Sequence, residues 1–286
     1  MLKIYAVEHW TFFVRCLAPL RRNFPLPTLD QHPSNDIVKL MNCADSGAGK
    51  SGALASLLDE GLQVRVLDFD NGLSTVAGYV KDKSKLKNLT YVTLQDKLKL
   101  TGSIVGIQKA SAFQRGMDAL DGKADAWDGI TLPAVTEWTP EHVLVLDTLS
   151  MAGRASLQMV MQMNGKGFSA PELQHYGTAM ENIEKLVAIL TSSAVNCHVI
   201  INTHLTSVEG TAKLYPEALG SKLGPKLGKY FDNMITLGVT GGSRTFKTVK
   251  DGLFACKTAK PLKDTYPLET GLASIFKDLT GKQKLV

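Results

Sequence analysis

Three observations predict an α/β fold with a mostly parallel central sheet, helices on both its faces and added strands, antiparallel in arrangement, at the C-terminal side. Short apolar runs alternate with amphipathic stretches along most of the chain, the pattern of βαβ units. A glycine-containing segment ending in Lys-Ser stands between the first apolar run and the first helical stretch. The chain has 286 residues, 44% of them apolar, enough to bury a full core.

The elements follow in order. Residues 1–36 carry Pro19, Pro25, Pro27 and Pro33 around Arg21-Arg22, a composition that resists regular structure and predicts an extension and linker before a domain over 37–286. Ile37–Met41 predicts the first strand, and a helix begins at Lys50. Val64–Leu67 and Tyr91–Leu94 are further strands. Over about 97–140 the pattern changes to a helix at Ile104–Leu120 and a polar stretch ending at Trp138-Thr139-Pro140, which predicts an insertion beside the sheet. Val143–Leu146, a helix near Tyr176–Leu190 and Val199–Asn202 resume the alternation. A Gly- and Lys-rich stretch runs to Lys229, then strand-like pieces follow at Met234–Val239, Thr245–Val249 and Leu253–Cys256.

A net charge of +5 is modest and spread along the chain, compatible with nucleic acid without requiring it. No apolar stretch approaches the ~18 residues of a membrane helix, so no membrane association is expected. The run Trp10–Val14 is broken by Glu8 and Arg15 and lacks the flanks of a secretory signal. Cys16, Cys43, Cys197 and Cys256 lie far apart without metal-ligand spacing, the usage of a reducing cytosol.

A loop that cradles phosphate needs glycines where side chains would intrude, and a helix start behind it. Asp45-Ser46-Gly47-Ala48-Gly49-Lys50-Ser51-Gly52 meets this need between strand and helix. Lys50 would reach the β- and γ-phosphates of ATP and Ser51 would ligate Mg²⁺. Ala44 stands where the motif has its first glycine. The strand Val143–Leu146 runs into Asp147, a carboxylate at the ligand edge of the sheet and a candidate second support for Mg²⁺. Asp68 and Asp70 follow the strand Val64–Leu67, two residues apart and so on one side of an extended chain. Asp70 could orient the attacking water or cap the next helix. Asn202-Thr203-His204 ends another strand and could touch the γ-phosphate or simply turn the chain.

This order of parts resembles the RecA-type P-loop ATPase core, especially the compact phage-encoded proteins that accompany recombination and single-strand annealing, over about Ile37 to Gly271. The resemblance implies ATP and Mg²⁺ as ligands, single-stranded DNA as substrate, a homo-oligomer, an annealing or single-strand-binding protein as partner, and a cytoplasmic location, the host cytoplasm for a phage protein. It implies Asp70 as catalytic base, with Asp in place of the family's Glu, and Asn202 or His204 as nucleotide sensor. It also implies a mobile loop in Met151–His175, a Gly-rich DNA-binding loop in Ser207–Lys229, and trans-acting lysines at Lys257 and Lys260. Arg154, Lys166, Lys213, Lys222 and Lys226, set among glycines, are basic groups suited to tracking a phosphate backbone. Phe12-Phe13-Val14 could dock on a neighbour. A hexameric helicase or DNA motor is an alternative, needing an arginine finger in trans for which Arg244 is a candidate. A nucleotide-gated binding module with little turnover is another.

Overall fold

The computed structural model describes Thr28, residues 36–250 and residues 252–286. Apart from Thr28 and Asp36, the extension expected over 1–36, with Phe12-Phe13-Val14, lies outside the described residues.

The strand β1 (Lys39–Ala44) leads through the glycine loop into a 3-10 turn and the short helix α1 (Ala55–Asp59). Next come β2 (Gln63–Asp68), α2 (Val76–Tyr79) and β3 (Leu89–Thr93). A hairpin, β4 (Lys97–Thr101) and β5 (Ile104–Lys109), and the helix α3 (Ala112–Leu120) precede β6 (His142–Asp147). Two long helices, α4 (Leu149–Met163) and α5 (Leu173–Thr191), connect β6 to β7 (His198–Thr203). A small hairpin, β8 (Leu205–Ser207) and β9 (Leu214–Pro216), is followed by α6 (Gly220–Leu227) and β10 (Asn233–Thr240). The chain finishes with β11 (Ser243–Lys247), β12 (Thr265–Pro267) and α7 (Leu268–Thr280).

Eight strands form one sheet in the order β12-β11-β10-β1-β7-β6-β2-β3. Neighbours from β10 to β3 pair in parallel, while β11 and β12 are antiparallel additions at one edge. This is the expected α/β fold, with a mostly parallel sheet and added antiparallel strands. Period-two alternation splits each central strand between two cores. Val143 and Val145 pack with Leu54, Leu57, Leu58, Ile275 and Phe276 beneath α1 and α7. Leu144 and Leu146 pack on the other face with Leu149, Ala152, Ile183 and Leu186 of α4 and α5. All the ligand-bearing strand ends then point to one edge: β1, β6 and β7 are parallel, with Cys43 beside Thr203 and Asp147 beside Asn202.

Four expectations are corrected. Ile104–Leu120 is not one helix, since Ile104–Lys109 is a strand and the helix begins at Ala112. A short β-branched run such as Ile104-Val105 is ambiguous by periodicity, and its partner Lys97–Thr101 settles it as a hairpin. Of the loop expected over Met151–His175 only residues 164–172 connect helices, and Met151–Met163 belongs to α4, because Leu149, Ala152, Ala155, Ser156 and Val160 fall on one buried helical stripe despite Gly153. Gly153 allows close packing there, since a Cβ would meet Leu219 at 3.1 Å and Leu219 would have to give way by a few tenths of an ångström. The expected loop Ser207–Lys229 contains β9 and α6, and Leu253–Cys256 forms only isolated bridges.

Candidate functional site

The loop after β1 wraps an open cleft at the carboxyl edge of the sheet. Ser46, Gly47, Gly49, Lys50, Ser51, Asp70, Gly72, Thr75, Tyr79, His204 and Arg244 line it. Gly47 (φ 75°) and Gly49 (φ 109°) hold backbone conformations that side-chain-bearing residues rarely adopt. Ala44 departs from the motif at no conformational cost: it is the last residue of β1, in register with Leu237, and its φ is not positive. Asp45 and Ser46 are exposed, Ala48 is buried, and Gly52 lies so close to the Tyr79 ring that a Cβ would meet it at 2.8 Å.

The Lys50 ammonium donates to the carbonyls of Ala44 and Asp45, each at 3.0 Å, which holds it across the loop. Burial lowers its pKa, while Asp147, Asp70 and Asp45 oppose that shift. Ser51 Oγ donates to Asp147 Oδ2 at 2.6 Å, joining the loop to the end of β6. Asp147 is fully buried, and burial raises its pKa against the hydrogen bonds from Ser51 and Asn202. Asn202 Nδ2 donates to Asp147 Oδ1 at 3.1 Å, and Asn42 Nδ2 donates to Asn202 Oδ1 at 2.9 Å. A polar chain therefore crosses the three central strands beneath the loop.

Asp70 is positioned by backbone. The Asp147 carbonyl accepts from the amides of Phe69 and Asp70 at 2.6 and 3.1 Å, turning the chain out of β2 and into the cleft. Asp68 and Asp70 consequently do not share a side, because the extended chain ends at Asp68. Asp68 is buried and accepts from the Asn71 amide at 2.7 Å, and burial beside Asp147 pushes its pKa up to about 6. Asp70 does not cap the following turn, whose first flanking residue is Gly72 and which has no side-chain cap. Its carboxylate is exposed in the cleft. His204 reaches the same cleft, with Nδ1 3.5 Å from Glu217 Oε2, and the carbonyl of His204 accepts from the Glu217 amide at 2.7 Å.

The remaining basic candidates are dispersed. Arg154 is exposed on α4, bordering one groove with Asp70 and another with His204. Lys166 follows α4, Lys213 precedes β9, and Lys222 and Lys226 stand one turn apart on α6, all exposed. Lys257 is bridged to Met234 and Ala259 donates to Asn233 Oδ1, so the segment carrying Lys257 and Lys260 lies by the start of β10, toward the edge opposite the phosphate loop. Asn42, Tyr79 and the cleft position of Arg244 are not evident in the sequence pattern. Only Asn42 leaves a signal, a polar residue inside an apolar strand.

The donor set fits ATP with Mg²⁺. One buried carboxylate joined to a hydroxyl suits a cation that keeps most of its shell from phosphate and water, and no cluster of three or more ligating side chains occurs among the described residues. The glycine cradle leaves open space above Gly47.

No curated protein matches the chain. Among solved structures it is similar to the assembled ATPase EscN, in complex with its central stalk EscO, from the enteropathogenic E. coli type III secretion system. That likeness has 15% identity and a TM-score of 0.36 over 72% of this chain, and the chain spans 45% of that protein's length. No described helix is long and apolar enough to cross a membrane. Residues 38–259 match the AAA domain family, a span that takes in the phosphate loop, Asp70, Asp147 and His204. The chain belongs to the AAA-domain family of P-loop ATPases.

Proposed function

We propose that this ATPase hydrolyses ATP in response to single-stranded DNA, acting as a homo-oligomer in recombination or annealing beside an annealing or single-strand-binding protein, within the cytoplasm of a phage-infected host. The observation that carries the reading is the convergence of Lys50, Ser51 with Asp147, Asp70 and His204 on one cleft.

Lys50 and the loop amides bind the phosphates, and Ser51 and Asp147 hold Mg²⁺. Bound there, the cation neutralises charge on the phosphate oxygens. Asp70, free of capping duty and exposed in the cleft, orients the attacking water and accepts its proton. Its side chain is one methylene shorter than the family's Glu, so turnover is slow. His204 follows the γ-phosphate and is continuous with the β8–β9 hairpin, whose connection carries Lys213. Arg154 borders grooves shared with Asp70 and with His204, which supports a DNA path near both. The lysines at 257 and 260 act on a neighbouring subunit, an arrangement favoured by their distance from their own phosphate loop.

The test is ATP hydrolysis with Mg²⁺ in the presence of no DNA, single strands or duplex, at low and moderate salt. Stimulation by single strands that fades with salt is expected, together with loss of binding in Lys50→Ala and loss of turnover with retained binding in Asp70→Asn. Tight binding without DNA-dependent turnover replaces this reading with the nucleotide-gated module, and unwinding of a forked duplex replaces it with the helicase.

A further inference from the structure

Arg244 stands out because the sequence offers it only as a group for a neighbour's site, yet the fold brings it into its own. It sits on β11, paired with Val239 of β10, just beyond the point where Leu237 meets the end of β1. Its Cδ lies 3.3 Å from where a Cβ on Gly49 would be, and it lines the cleft with Gly47, Lys50 and Ser51. Its Nε is buried without a hydrogen-bond partner, and no carboxylate pairs with it among the described residues. A buried guanidinium donor left unpaired is costly, and a planar fork of donors facing a phosphate loop matches the geometry of phosphate oxygens.

We propose that Arg244 is a phosphate-binding residue acting in cis: its guanidinium donates to the polyphosphate of the nucleotide held by its own Gly47–Ser51 loop. Lys50 supplies a point charge on one side of the loop, and Arg244 supplies a directed pair of donors over Gly49 on the other. This rests on the nucleotide reading of the cleft and adds a recognition group to it. The ligand class is a nucleoside di- or triphosphate, since the contact is to phosphate and not to the base.

The test is equilibrium binding of Mg·ATP and Mg·ADP by calorimetry, with tripolyphosphate as a base-free competitor, for wild type, Arg244→Gln and Arg244→Met. Both substitutions keep an unbranched stem over Gly49, and a urea midpoint for each checks the fold. Loss of a charge-assisted contact to phosphate should weaken both nucleotides by about tenfold to a hundredfold, and tripolyphosphate by the same factor. Arg244→Gln protein mixed with excess Lys50→Ala protein should stay weak, because a donor arriving from a neighbour would restore affinity. Wild-type affinity in both Arg244 variants overturns the proposal, and rescue in the mixture overturns its cis form. A wild-type protein that fails to bind Mg·ATP overturns the nucleotide reading itself, and Arg244 with it.

Discussion

Replacing Asn202 by Leu tests the polar chain beneath the phosphate loop. The two side chains are close in shape, so the change removes hydrogen-bonding groups without opening a large cavity. Asn202 is fully buried, as is Asn42, and Asn42 Oδ1 is already without a partner. The substitution strands Asn42 Nδ2, a buried donor whose loss costs about 1–3 kcal/mol, and takes from Asp147 a charged-acceptor bond worth about 1.5–3 kcal/mol. The added apolar burial of Leu offsets part of this, about 1.5–3 kcal/mol. The net destabilisation is about 2 kcal/mol, read as a lowered urea midpoint at unchanged slope. Asn42→Leu alone strands Asn202 Oδ1, whereas Asn42→Leu with Asn202→Leu leaves neither amide stranded. The double variant should therefore be more stable than the sum of its singles predicts, by about 1–2 kcal/mol. A coupling within about 0.5 kcal/mol of zero would show that the two amides do not act as a unit.

Two further outcomes follow from single positions. His198 is buried against Phe276, accepts from the Val38 amide at 2.9 Å and hydrogen-bonds the Pro140 backbone, and burial next to Lys282 and Lys39 lowers its pKa from 6.5 to about 4. The unfolded chain then binds the extra proton first, so stability contributed by neutral His198 is full above pH 6.5 and lost as the pH falls toward 4. Relative to His198→Gln, the wild type should lose about 3 kcal/mol across that window, and parallel pH profiles would rule the mechanism out. Gly49→Ala places a Cβ at 3.0 Å from Leu268 Cδ1 and 3.3 Å from Arg244 Cδ at a φ of 109°. It should abolish Mg·ATP binding while lowering the unfolding free energy from urea titration by no more than the ~1–3 kcal/mol of backbone strain, and unimpaired binding would refute the cradle geometry.

What the sequence makes legible here is local. Gly47-Ala48-Gly49-Lys50-Ser51 is a contiguous segment whose chemistry follows from its own backbone, and Asp147 announces itself by ending an apolar run. The parallel sheet follows from alternation alone. Features set by register or long closure are silent. Asn42 and Asn202 meet only because β1 and β7 are neighbours in that register. Arg244 enters the cleft only because β11 folds back along β10 beside β1. Asp68 and Asp70 part company because a carbonyl from another strand turns the chain between them. Glycine misleads in α4, where Gly153 serves close helix packing and not a loop.

The wall over Gly49 has a consequence for the order in which the molecule can be completed. Leu268 and Arg244 come from the end of the chain, and α7 is tied to α1 by the Ala273 amide donating to Ser56 Oγ across 217 residues and by Lys277 pairing with Glu60 at 2.6 Å. A growing polypeptide exposes its phosphate loop early, yet that loop lacks its far wall until β11 and α7 emerge. Closing that wall over Gly49 therefore waits on contacts far apart in sequence, whose loop-closure entropy must be met before they stabilise the fold.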